Sequence, residues 1–280
     1  MHSRPPRRHA GFTFTDLLVT MALIAVMLSV HATVNAGSRS AAQRMQNSTQ
    51  LRGIHQALVT FANSNRNNFP GLTSYGQILV DGRDTGNSGA GDTVQARYWL
   101  LLTSDFITPD YAISPLESAD MTPYNDLRDA GPVLWEGRGV RNYSFAFLGY
   151  QAGDGEGDSD DAGLPIDLAS VPRVAEWQQT LNSQAIVVSD RNTGLDERLR
   201  VNSIHTDRRG QWQGSVLWND NHVGFEETQY FQTKYANGLL NDDRPGDNLF
   251  FDESPQYENQ IVGANALMVI AGNNTVHAAQ

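Results

Sequence analysis

The chain has 280 residues, no cysteine, and 31 acidic against 20 basic side chains, giving a formal net charge of −11 at pH 7. Without thiols it forms no disulfide, thiolate metal site or cysteine nucleophile. Its acidic balance excludes nucleic-acid binding by phosphate neutralisation.

A short basic leader, Arg4, Arg7 and Arg8, runs into Ala10-Gly11 and then the segment Phe12 to Val34. That segment is apolar over about 23 positions and carries one acid, Asp16. At about 1.5 Å per residue it is long enough to cross a bilayer as a helix. A secretory signal peptide has a shorter apolar core followed by small residues at a cleavage site, and here the polar chain from Asn35 still reads as helix. Arginines before the span and none inside it put the leader in the cytoplasm. The expectation is a single-pass protein of the cytoplasmic (inner) membrane, with its head in the periplasm or on the cell surface.

The residues around the start of this segment are Gly11, Phe12, Thr13, Phe14, Thr15 and Asp16. They resemble the start of the type IV pilins and type II secretion pseudopilins. In that family a leader ends in Gly and is followed by Phe, Thr, a hydrophobic residue, a fourth residue, Glu and an unbroken apolar helix. The resemblance implies that a prepilin peptidase cuts between Gly11 and Phe12 and methylates the new N-terminal residue. It also implies that the acid at mature position five, here Asp16, pairs with the N-terminal amine of a neighbouring subunit in a filament. Loss of residues 1–11 removes three arginines and no acid, taking the formal charge from −11 to −14. Asp reaches one methylene less far than the family's Glu, which points to a minor or specialised subunit. The implied partners are the peptidase, other pilin or pseudopilin subunits, the inner-membrane assembly platform and membrane lipid.

Beyond Asn35 the helix is expected to continue to about Asn65. Leu51, Ile54, Leu58 and Phe61 recur at spacings of three and four, with Arg44, Gln46, Asn47, Arg52, Gln56 and Asn63 elsewhere around the wheel. Asn63 to Pro70, NSNRNNFP, ends it with turn formers and a proline. The phrase Leu51 to Pro70 is similar to the helix end of the long pseudopilin-like proteins of planctomycete-type bacteria. The expected organisation is a leader over 1–11, the transmembrane part of the helix over 12–34, its extramembrane part over 35–66 and a head over 67–280.

In the head, Gly82 to Gly91 and Gly153 to Gly163 read as loops, and Tyr98 to Leu102 as the start of a helix or strand. Tyr143, Phe145 and Phe147 alternate with Ser144, Ala146 and Leu148 as in a strand, and Ala185 to Val188 reads as a buried strand. Ser215 to Phe225 predicts a hairpin turning at Asn219-Asp220-Asn221. His205, Val216, Leu217, Asp220, His222 and Val223 resemble a C-terminal signature of the same family, with Asn221 where Gly is expected. Gln260 to Ala271 is too short an apolar run for a second span and reads as a final strand or core helix. The fold class that emerges is α+β, a long N-terminal helix with a membrane-spanning first half packed on an antiparallel sheet with long loop insertions.

No catalytic constellation stands out. There is no Gly-x-Ser-x-Gly elbow, and His205, Asp207, Asp220 and His222 lack the tight spacing of a metal motif, so they read as turn and packing residues. Asp154, Glu156, Asp158, Asp160 and Asp161 supply carboxylates in a Gly-rich loop and form a candidate calcium site, with no EF-hand register. The other reading is a solvated acidic loop. Two functions are compatible with the sequence: a pilin-like structural subunit, or a membrane-anchored extracytoplasmic enzyme or binding domain exported by a pilin-type signal. Trp99, Trp135, Trp177, Trp212 and Trp218 would serve sugar stacking in the second reading and core packing in the first.

Overall fold

The structure is a computed structural model that describes residues 11–71, 94–117, 121, 123, 143–149, 172–194, 201–206, 208–235, 246–250, 266 and 268–269. The chain divides into two compact units, Met1–Arg44 and Met45–Gln280.

Helix α1 spans Phe14–Ser64. Its residues up to Arg44 fall in the first unit, where side chains from Phe12 to Leu28 are exposed. Among the described residues no helix is long and apolar enough to cross a membrane. This corrects two expectations, the membrane-spanning first half of the fold and the single-pass inner-membrane location.

From Met45 onward the helix belongs to the second unit, and Leu51, Ile54 and Leu58 are fully buried. Each such side chain contributes roughly 1.5–3 kcal/mol on burial. Asn47 is buried too, which corrects its placement on the polar side of the wheel. Positions 47, 51, 54 and 58 continue one i, i+4, i+7 face. Gly53 lets the short 3-10 turn Pro109–Ala112 approach the helix, because a Cβ there would lie 2.4 Å from the Tyr111 ring. The helix ends where Asn65 and Asn67 donate backbone N–H groups to the Ala62 carbonyl, with Arg66 and Asn67 both at positive φ.

The sheet of the second unit is antiparallel. Its strands are β1 (Phe145–Leu148), β2 (Ile186–Asp190), β3 (Gly214–Trp218), β4 (Val223–Glu226) and, later in the chain, Met268–Val269. The short strands β5 (Tyr230–Phe231) and β6 (Asp247–Asn248) pair with one another; Met268–Val269 is therefore β7. The order in the larger sheet is β4-β3-β2-β1-β7. The hairpin predicted over Ser215 to Phe225 is β3–β4, with Asn221 at φ 72° in its turn. The final strand is β7 against β1. Strands β1 and β2 are buried along their whole length, so they carry near-continuous apolar runs instead of alternating with polar residues.

The run Tyr98 to Leu102 lies in a second helix, α2 (Val94–Thr103). Tyr98 stacks on Phe147 with centroids 4.4 Å apart and on Tyr143 at 4.8 Å, and its hydroxyl donates to the Phe145 carbonyl. Trp177, just after the short helix α3 (Pro172–Glu176), meets Phe147 and Phe69 at 5.4 Å. Trp177, Trp212 and Trp99 are core residues and Trp218 is half-buried, which favours packing over sugar stacking for these four; Trp135 lies outside the described residues.

Candidate functional site

Gly11 to Thr13 precede α1 in non-helical, exposed form. Among the described residues an ideal Cβ at Gly11 would meet nothing within 4 Å. Thr13 and Asp16 form a reciprocal cap. The Thr13 N–H and hydroxyl donate to Asp16 Oδ2 at 3.0 and 2.6 Å, and the Asp16 N–H donates to Thr13 Oγ1 at 3.3 Å. This is a capping box with Asp in place of the usual Glu or Gln, and its carboxylate faces the positive end of the helix dipole. The predicted site residues Gly11, Phe12 and Asp16 therefore sit together at an exposed helix start. Phe14, Leu17 and Ile24 are 76, 45 and 56% exposed, and Val19, Met21, Val26 and Leu28 are exposed as well, so apolar surface lies on every side of this part of α1.

A second constellation, not foreseen from the sequence, is the buried carboxylate of Asp190 at the end of β2. It accepts hydrogen bonds from Asn47 Nδ2 at 2.9 and 3.0 Å and from the Ser215 N–H at 2.6 Å, and His205 Nε2 lies 2.7 Å away. Ser114 Oγ donates to Asn47 Oδ1 at 2.6 Å, and the Ser114 N–H donates to Ser144 Oγ. The side chains of Asp190 and His205 are wholly buried. Among the described residues His205 Nδ1 has no hydrogen-bond partner, which favours the tautomer with its proton on Nε2, facing the carboxylate. A second polar tie, from His55 Nε2 to the Asn219 carbonyl at 3.1 Å, lies farther along the same helix. From Asn47 to His55 the helix rises about 12 Å, and from Ser215 to Asn219 the strand rises about 13 Å. Helix α1 therefore runs alongside β3, fastened at both ends. Burial holds His55 below its ordinary pKa, against the opposing pull of its bond to Asn219.

The residues weighed for a metal do not converge. His205 pairs with Asp190, whereas His222 bonds Asp220 in the hairpin turn and stacks on Trp218 at 4.0 Å. Asp207 lies outside the described residues, as do Asp154, Glu156, Asp158, Asp160 and Asp161 of the candidate calcium loop. Among the described residues no group of three or more His, Cys, Asp or Glu side chains is placed to hold a metal ion. The signals for the missed constellation were Asn47 on the apolar face and Asp190 closing an apolar strand, each a buried polar group that needs partners.

Compared with family models, curated proteins and solved structures, the chain matches none.

Proposed function

We propose that the chain is a pilin-like structural subunit. In this reading a prepilin peptidase cuts after Gly11, Phe12 is methylated, and the mature chain joins other pilin or pseudopilin subunits in a type II secretion or type IV pilus-like fibre, as a minor component. Its role is assembly and not catalysis. The observation that carries the reading is the start of α1, whose apolar side chains are exposed on every side. A helix apolar all round is stable in water only when surrounded, and a bundle of like helices surrounds it.

Two details support the same reading. Glycine at position 11 meets no steric demand among the described residues, and a peptidase that reads glycine would account for it. Both Thr13 bonds use Asp16 Oδ2, which leaves Oδ1 for the amine of a neighbouring mature chain. Such a charge-assisted bond offsets the cost of placing both charges in an apolar bundle.

The test is the N-terminal peptide of the mature protein from its native host, read by mass spectrometry. N-methylated Phe12 is expected. An intact Met1, or a start beyond Ala32, would overturn the reading.

A further inference from the structure

Strand β4 is the last strand on its side of the sheet, and its pairing with β3 fixes which of its backbone groups are used. The Trp218 N–H donates to the His222 carbonyl, whereas the Ser215 N–H turns the other way, to Asp190 Oδ2. Along an antiparallel ladder bonded and unbonded residue pairs alternate, and here Leu217 stands opposite Val223 and Ser215 opposite Phe225. Val223 and Phe225 therefore aim their N–H and C=O groups away from β3. Among the described residues no hydrogen bond takes up those of Val223. Such an edge is a template for one more strand.

The side chains along the edge select the kind of strand that fits. Gly224 and Glu226 share one face of β4, and Val223 and Phe225 share the other. A Cβ on Gly224 would lie 2.9 Å from Glu226 Oε1 and 3.1 Å from the Trp218 ring. The carboxylate is thus folded back over Gly224, beside the tryptophan, in space that glycine leaves open. Burial holds the Glu226 carboxyl above its ordinary pKa, against the opposing pull of His222. His222 itself bonds Asp220 and stacks on Trp218 at 4.0 Å. None of the ion pairs among the described residues includes Glu226. A half-buried carboxylate without an ion-pair partner among them therefore lies where an added residue opposite Gly224 would point.

We propose that the β4 edge receives an extended segment of another protein in which basic and apolar residues alternate. The basic residues face Gly224 and Glu226, and the apolar ones face Val223 and Phe225. Strand addition supplies backbone hydrogen bonds, and alternate side chains supply the choice of partner. The argument for this occupant is local charge complementarity: Glu226 and Glu227 follow one another at the end of the strand, and Asp220 lies in the turn before its start. A second copy's β4 would bring like acids together on one short edge, so self-pairing is disfavoured. The inference stands apart from the fibre reading.

The test uses the full chain, held in detergent, and two fluorescent peptides, Thr-Val-Arg-Val-Arg-Val-Thr and its counterpart with glutamate for arginine. By fluorescence anisotropy the arginine peptide is expected to bind saturably and at least about tenfold more tightly. Hydrogen exchange at the Val223 amide is expected to slow about tenfold or more in the bound chain. Glu226→Gln is expected to weaken binding about fivefold or more, with an unchanged melting temperature. No binding, equal affinity for the two peptides, unslowed exchange at Val223 or undiminished binding by the variant overturns the proposal. Slowing of that exchange when the chain alone is concentrated would assign the edge to a second copy, and overturns it too. If Glu226→Gln does not fold, the peptide comparison and the exchange decide.

Discussion

Between Phe14 and Leu28 the side chains of α1 are apolar on every side and exposed, whereas between Met45 and Ser64 the same helix carries one apolar stripe and buries it. Backbone hydrogen bonding is alike in the two parts, so helix formation does not distinguish them; burial does. The width of the apolar surface sets how much of it one neighbour can cover. A single stripe, continued by Asn47 and His55, fits the sheet of its own chain and is fastened there by two buried polar ties. An all-round apolar surface needs neighbours on all sides, and in the function proposed above these are other chains.

The largest effect expected in the buried part is at Asp190. Asp190→Ala strands the donors of Asn47, Ser215 and His205, and about 3–5 kcal/mol should be lost in denaturant unfolding. An unchanged midpoint would show that the tie is dispensable. The two parts are compared most sharply by one substitution made in each. Ile54→Ala should cost about 2–5 kcal/mol, and Ile24→Ala less than about 0.5 kcal/mol in the unassembled subunit. Equal losses would mean that the first part is buried within its own chain.

Smaller still is Thr13→Ala, which removes the cap and should cost about 0.5–2 kcal/mol of local helix stability. Hydrogen exchange in the first turn reads it, and unchanged protection there would remove the capping role. The pH dependence from His55 is the finest test. Burial favours its neutral form in the folded chain, so the unfolded chain binds more protons below the ordinary value of 6.5. Stability from this residue is therefore full above that pH and falls as pH drops through it. The melting temperature should decline between pH 7 and pH 5, and His55→Gln should flatten that decline; an equal slope in the variant would assign the dependence to other groups.

The stripe at Leu51, Ile54, Leu58 and Phe61 and the hairpin at Asn219 to Asn221 were legible because period and turn chemistry are local signals. The length of α1 was legible for the same reason. The membrane span, read from apolarity alone, was not: among the described residues no helix is long and apolar enough to cross a membrane. The tie around Asp190 was hidden because its members, Asn47, Ser114, Asp190, His205 and Ser215, are far apart in sequence and meet only after the sheet forms.

The most direct test uses the absence of cysteine from the chain. Leu17→Cys, Met21→Cys, Ile24→Cys and Leu28→Cys, each made singly in the full chain in its native host, are treated with a short thiol cross-linker. Covalent dimers of this chain, or its adducts with other pilin-like subunits, are predicted at one or more of these positions. A chain that stays monomeric at all four, or that joins only proteins of another kind, would contradict the claim that like helices surround the start of α1.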